Sequence, residues 1–208
     1  MEIKMTKEQQ KFYDIKNTAD YKKVGEDIDY KVYVDHEKKE IVLQFQESNS
    51  REDWKHNLQF LPWPLKLNDK WVWTTRGYAL AYKSTKDQPL YDFINAWWEI
   101  RDKEYKLCIR GWSFGSAMAK ITARRAAILI DELTTYGDVK CWLNPFYKAN
   151  NVIRIREYVT SNDFITWCVP FYHRDKKCKV GRKFSLKEIF NTEYYHTHYE
   201  DYDYTKYE

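Results

Sequence analysis

The stretch from Tyr105 to Ala119 restricts the fold of this chain more than any other. Tyr105-Lys106-Leu107-Cys108-Ile109-Arg110 reads as a short apolar strand, Gly111-Trp112-Ser113-Phe114-Gly115 follows it, and Ser116-Ala117-Met118-Ala119 begins a run of small residues. A G-x-S-x-G sequence can arise by chance. Between a strand and a helix of small residues, however, it describes a sharp turn with serine at its apex. Such a turn strains the serine backbone, so the positions two residues away must lack bulk, as Gly111 and Gly115 do. The helix that follows directs backbone N–H groups and its positive dipole end at Ser113, where an oxyanion would form. Ser113 is therefore a candidate nucleophile, with a tight turn devoid of chemistry as the plain alternative.

The rest of the chain sorts into strands and helices around this element. Thr6 to Tyr21 reads as a charged helix. Tyr30–Val34 and Glu40–Phe45 alternate as strands joined by a turn over Asp35–Lys39. Leu90 to Lys103 carries apolar residues at helical spacing (Leu90, Phe93, Ile94, Trp97). After the serine turn, Ala119, Ala123, Ala126, Ala127, Ile130 and Leu133 form one helical stripe, which predicts a long helix from Ser116 stopped by Gly137. Asp138–Leu143 and Val152–Val159 read as two further strands. Strand, helix and strand in alternation indicate an α/β protein with a mostly parallel central sheet flanked by helices. Residues 1–208 read as a single domain.

Composition narrows the function. Hydrophobic residues at 43% and charged residues at 32% fit a folded globular protein, and the aromatic share of 18% can fill a core, line a cleft or stack on sugars or bases. The net charge of +4 is spread along the chain and interleaved with acids. The most basic run, Arg174-Asp175-Lys176-Lys177-Cys178-Lys179, holds an acid and reads as a solvated loop, so nucleic acid is not an expected partner. Cys108, Cys141, Cys168 and Cys178 show neither a C-x-x-C pair nor metal-like spacing with histidine, and are expected to be reduced thiols. The polar N-terminus lacks an apolar signal region, and no run is long enough to span a bilayer. A cytoplasmic protein with no integral membrane segment is the expectation.

A serine hydroxyl becomes a nucleophile when a histidine takes its proton and a carboxylate orients that histidine. In hydrolases with this kind of turn, the order along the chain is Ser, acid, His. Asp163, just beyond the strand ending at Val159, stands where an α/β sheet presents its site residues. Asp131 and Glu132, inside the expected long helix, and Asp138, opening a strand, are worse placed. The histidines after Ser113 are His173, His196 and His198. The last two lie in Tyr194-Tyr195-His196-Thr197-His198-Tyr199, after a helix-like stretch from Ser185 to Asn191. That tyrosine-rich tail reads either as a solvated end or as the late segment that carries the histidine.

Taken in order from about Tyr30 to Tyr199, these blocks resemble the class 3 lipase family of α/β-hydrolases. Ser48 to Asn57, with Asp53-Trp54 and Asn57, is similar to the family's element after the strand that precedes it. Gly77-Tyr78-Ala79-Leu80-Ala81-Tyr82 is similar to its next block, GWSFGS to its G-H-S-L-G-G, and Asp163 to Pro170 to its acid loop. His196-Thr197-His198-Tyr199 matches its late His-x-x-Tyr, which favours His196 over His198. The resemblance implies a compact, nearly lidless α/β-hydrolase with Ser113, Asp163 and His196 as catalytic triad. It implies an oxyanion hole from the backbone N–H groups of Phe114 and Ser48, with no cofactor and no metal. The activity implied is hydrolysis of a small-molecule or lipid carboxylic ester through an acyl-enzyme. A thioesterase or acyltransferase would use the same residues, and a non-catalytic binding protein of this fold is the other reading. Glu47 stands where the family has Gly beside the oxyanion hole, and its charge would oppose an oxyanion unless it is paired or turned to solvent. Trp112 replaces the common His, Ser116 the second Gly, and Asn144-Pro145 a Gly-x-Pro. Such drift fits a divergent enzyme, of phage or low-GC bacterial type, or a decaying site. Leu58 to Leu65 reads equally as an apolar lip to the cleft or as core.

Overall fold

The computed structural model describes residues 5–17, 19–25, 28–46, 59–100, 104–143, 150–169, 171–181, 185 and 191–207. In chain order the elements are α1 (Lys7–Lys16), β1 (Lys22–Val24), β2 (Ile28–Asp35), β3 (Glu40–Phe45), β4 (Pro62–Leu67), β5 (Lys70–Thr75), α2 (Arg76–Ser84), α3 (Gln88–Ile100), β6 (Lys106–Trp112), α4 (Phe114–Arg125), β7 (Ile130–Tyr136), β8 (Val152–Thr160), β9 (Lys177–Val180) and α5 (Thr192–Thr197). A seven-stranded sheet runs in the order β1-β2-β3-β6-β7-β8-β9, and β4 and β5 form a separate hairpin. From β3 to β9 all neighbours are parallel, with Phe45 beside Gly111, Trp112 beside Tyr136, and Tyr136 beside Tyr158. The carboxyl ends of these strands therefore line up on one edge, where such a sheet presents a site.

Two different layers cover the sheet. On one face Ile41, Leu43, Phe45, Ile109 and Leu133 pack against Ala79, Phe93, Ala117 and Ile121 of α2, α3 and α4. The other cover is made by α1 and the tyrosine-rich tail: Phe12, Ile15, Tyr199 and Tyr204 pack on Trp112, Tyr136, Tyr158, Cys178 and Val180. Tyr199 and Tyr204 are fully buried, so the tail is core and not a solvated end. Each such aromatic taken from water contributes on the order of 2 kcal/mol.

The long helix expected from Ser116 to Gly137 is two elements. Helix α4 ends at Arg125, Ala126 turns to extended backbone, and Ile130–Tyr136 is strand β7. Asp131 and Glu132 thus belong to a strand. The stop comes from outside the helix. The Asn151 side-chain amide donates to the carbonyls of Ala123, Ala126 and Ile128 at 2.7, 2.9 and 3.2 Å, and that of Asn68 donates to Arg124 O at 3.2 Å. Those of Ala123 and Arg124 are among the carbonyls that a helix C-terminus leaves without partners. Asp138–Leu143 is likewise no strand; only Trp142 bridges, to His173. Helix α1 stops at Lys16, short of Tyr21. The stretch expected to be helical from Ser185 to Asn191 lies largely outside the described residues, as do Asn144 and Pro145. Of the segment Leu58–Leu65, Leu65 is core and Leu61 is exposed. The basic run is not a solvated loop either. Arg174 and Asp175 are tied into the interior, and Lys177–Val180 forms β9. All four cysteines are free thiols. Among the described residues no helix is long and apolar enough to cross a membrane.

An ionic cluster lies wholly inside this framework. Lys120 of α4, Asp138 and Glu157 are all fully buried. The Lys120 ammonium sits 2.9 Å from Asp138 Oδ1 and 3.6 Å from Glu157 Oε1, and donates to Val139 O at 2.5 Å. Thr135 donates to Asp138 Oδ1, and the Arg174 guanidinium pairs with Asp138 Oδ2 at 3.0 Å. Burial, reinforced by the Asp138 charge, pushes the Glu157 carboxyl up from 4.5 to about 7. The folded state therefore holds a proton that the unfolded chain releases in that interval. The associated stability is present below the ordinary carboxylate value and is lost as pH rises through about 7. Denaturant unfolding at pH ~5 and ~8 is expected to show a fall in wild-type stability that Glu157→Gln lacks. Parallel pH profiles for the two proteins would refute this assignment.

Candidate active site

Ser113 stands at the junction of β6 and α4 with φ +54° and ψ −122°, the strained turn that the sequence requires. Its amide donates to Tyr136 O at 3.0 Å, which ties the turn to the end of β7. Space explains both flanking glycines. A Cβ on Gly111 would lie 2.4 Å from Gly115 O, and one on Gly115 would lie 2.4 Å from Gln46 O and 2.8 Å from Phe45 O. A side chain at Gly111 would push α4 off β6, and one at Gly115 would push it off the end of β3.

Three predicted residues come together here. His196 Nε2 lies 2.6 Å from Ser113 Oγ, and His196 Nδ1 lies 2.7 Å from Asp163 Oδ2. A carboxylate only accepts, so Nδ1 carries the proton and Nε2 is left to accept from the serine hydroxyl. Ser113, His196 and Asp163 are 4%, 1% and 0% exposed, so the hydrogen bonds form away from competing water. His198 faces elsewhere: its Nδ1 lies 3.0 Å from Tyr194 O, and its ring stacks on that of Tyr194. His173 is held in the bridge to Trp142. Phe114 opens α4, so its N–H is one of the four at a helix start that no intrahelical carbonyl reaches. Ser48 and Glu47 lie outside the described residues.

Several supporting groups escape a reading of the sequence alone. The fully buried Tyr199 hydroxyl donates to Asp163 Oδ2 at 3.0 Å and accepts from Thr160 N at 3.1 Å. Burial, and then the Asp163 charge, hold this phenol well above its usual pKa, so it remains a donor. The signal for it was present in the His-x-x-Tyr spacing, which sets Tyr199 one turn beyond His196. Trp112 donates its indole N–H to His196 O at 3.0 Å. Gly137, expected as a helix stop, instead ends β7 at φ +52°, with its Cα face against the histidine. A Cβ there would lie 2.8 Å from His196 Cε1 and 3.0 Å from Nδ1. No group of three or more His, Cys, Asp or Glu side chains among the described residues is placed to hold a metal ion.

No protein-family model matches the sequence, and no curated protein matches it. Solved structures similar to it include fungal lipases, which places the chain in the α/β-hydrolase fold. A triacylglycerol lipase whose catalytic centre is a serine-protease triad superposes with a TM-score of 0.65 at 19% identity, over 78% of this chain and 65% of its own. The Rhizomucor miehei triacylglyceride lipase gives 0.64 at 19% identity, over 77% and 65%. The Lip2 lipase of Yarrowia lipolytica gives 0.61 at 14%, over 88% and 80%. The chain spans less than two thirds of the length of the first two.

Gly137→Ala is expected to displace the imidazole and lower turnover of an activated ester by ~10²-fold, the scale for a misplacement of about 1 Å. Unchanged stability together with full activity would show that the glycine is not needed. Tyr199→Phe removes one hydrogen bond to Asp163, and kcat is expected to fall about fivefold. An unchanged kcat would mean the carboxylate is held without it.

Proposed function

We propose that this protein hydrolyses carboxylic esters in the manner of class 3 lipases, as one α/β-hydrolase domain with Ser113, His196 and Asp163 as its catalytic triad. The observation that carries the reading is the continuous hydrogen-bonded path from Ser113 Oγ through the imidazole to Asp163, set on a strained strand-to-helix turn. The likeness to fungal lipases of known structure supports it. His196 Nε2 takes the hydroxyl proton as Ser113 Oγ attacks the ester carbonyl, and Asp163 stabilises the imidazolium that results. The Phe114 N–H, with that of Ser48 as second donor, receives the developing oxyanion, and each such donor is worth ~10²–10³ in rate. The imidazolium then protonates the departing alcohol. Water, deprotonated by the same nitrogen, releases the acid and restores Ser113. Lipid esters are the substrate class that the lipase likeness favours. A thioester substrate or an acceptor alcohol in place of water would employ the same residues in the same roles.

A fluorophosphonate probe tests the reading by intact mass. Ser113 Oγ should displace fluoride from phosphorus and leave one adduct per chain, absent in Ser113→Ala. Hydrolysis of a soluble activated ester is expected to drop by ~10⁶-fold in Ser113→Ala and by ~10⁴-fold in Asp163→Asn. Folded wild-type protein that takes up no probe and turns over no ester would sink the proposal in favour of a binding protein on this fold.

A further inference from the structure

Tyr136 to Val139, the end of β7 and the turn beyond it, touch both Ser113 and His196. The Tyr136 carbonyl accepts from Ser113 N at 3.0 Å, and a Cβ on Gly137 would meet His196 Cε1 at 2.8 Å. Val139 N in turn donates to Ser116 Oγ of α4 at 3.2 Å. Where this turn sits therefore decides where the imidazole sits. What holds it is charge. Asp138 is gripped by the Lys120 ammonium of α4 at 2.9 Å, by Thr135 Oγ1 at 2.8 Å and by the Arg174 guanidinium at 3.0 Å. Lys120 also donates to Val139 O at 2.5 Å. A buried ion cluster is often no more stabilising than apolar side chains of like volume. Stability alone therefore gives no reason for a lysine in the buried middle of α4, among Met118, Ala119 and Ile121.

Lys120 has a second place to go. Glu157 Oε2 accepts from Lys176 N at 2.5 Å, whereas the buried Oε1 has no hydrogen-bond partner among the described residues and stands 3.6 Å from the ammonium. That gap is about 0.8 Å longer than a charge-assisted hydrogen bond. The groups that face Glu157 are Lys120 from α4, Asp138 from the turn after β7, and Asp175 with the Lys176 amide from the segment before β9. Arg174 lies beyond Asp138 and Arg124 beyond Asp175, while Thr135 and Lys177 are the strand neighbours. Burial opposes the charge of Lys120, but Asp138 and Glu157 outweigh it and hold the amine above its usual pKa, as an ammonium. While Glu157 is protonated, below its raised value of about 7, the ammonium belongs to Asp138 and Val139. An ionised Glu157 competes for it.

We propose that Lys120 is a positioning residue for His196: it holds the Gly137–Val139 turn against the imidazole, and ionisation of Glu157 draws it off that turn and slows the chemistry at Ser113. The inference rests on the ester-hydrolase reading and adds to it a group that never touches substrate. The rate of fluorophosphonate labelling, followed by intact mass from pH ~5.5 to ~9 in wild type and Glu157→Gln, tests it. Near-ultraviolet circular dichroism at each pH shows that both proteins are folded. The ratio of variant to wild-type rate cancels every titration the two share. That ratio is expected to be flat below pH ~6 and to rise about threefold by pH ~8.5, a part of the ~10²-fold loss that a 1 Å misplacement brings. Lys120→Met in the Glu157→Gln background leaves Asp138 paired with Arg174. This double variant is expected to label about tenfold more slowly than Glu157→Gln at every pH. Should it not fold, the Glu157→Gln ratio alone decides. A ratio flat to pH ~9, or a double variant as fast as Glu157→Gln, would overturn the proposal and leave the cluster a purely structural one. Wild-type protein unlabelled at every pH would instead remove the hydrolase reading, and the positioning role with it.

Discussion

The closeness of α4 to the ends of β3 and β6 governs the arrangement at the carboxyl edge. Helix α4 begins where the backbone of Gly115 touches the carbonyls of Phe45 and Gln46, and where Gly111 faces Gly115 across the turn. At that separation Ser113 cannot relax to an ordinary backbone conformation, so its hydroxyl is thrust out above the sheet. The same approach brings the first N–H groups of α4 beside that hydroxyl. One steric constraint thus fixes both the Ser113 hydroxyl and the N–H groups around it, and every residue of α4 from Phe114 to Arg124 is buried.

Holding the other two members is the work of the aromatic layer. Asp163 comes from the turn after β8 and His196 from the short helix α5, and each is anchored to tyrosine or tryptophan: Tyr199 on the carboxylate, Trp112 on the histidine carbonyl. Phe12 of α1 packs against Trp112, Tyr136 and Tyr199, so the N-terminal helix supports the site from beneath. Tyr136, Tyr158, Tyr199 and Tyr204 are buried in this layer over β6 to β9, and the hydroxyls of Tyr136, Tyr199 and Tyr204 donate to buried acceptors.

What could be read from the residues divides along a physical line. The Ser113 turn, the parallel alternation and the Ser–Asp–His order rest on local spacing, and spacing is what a sequence displays. The spacing to Tyr199 favours His196 over His198, and it is His196 that lies beside Ser113 while His198 lies against Tyr194. The end of α4 was missed because an alanine stripe continues at helical spacing through Leu133. The groups that satisfy its last carbonyls, Asn68 and Asn151, come from other parts of the chain. The same spacing makes Gly137 look like a helix end, whereas the need for glycine there comes from the His196 ring. Arg174 and Asp175 looked solvated because their partners, Asp138 and Arg124, are distant in sequence. Tertiary satisfaction of a backbone or a charge leaves no local signature.

The tail has a consequence for how the molecule is made. His196 and Ser113 are 83 positions apart, and the rings that seal the site, Tyr199 and Tyr204, follow the histidine. Contacts of such long range form late, since the loop between them must close first. A nascent chain that has already laid down β3, β6 and α4 therefore carries a serine with no base beside it. The hydrogen-bonded path from Ser113 through His196 to Asp163 is complete only when Tyr199 and Tyr204 have docked.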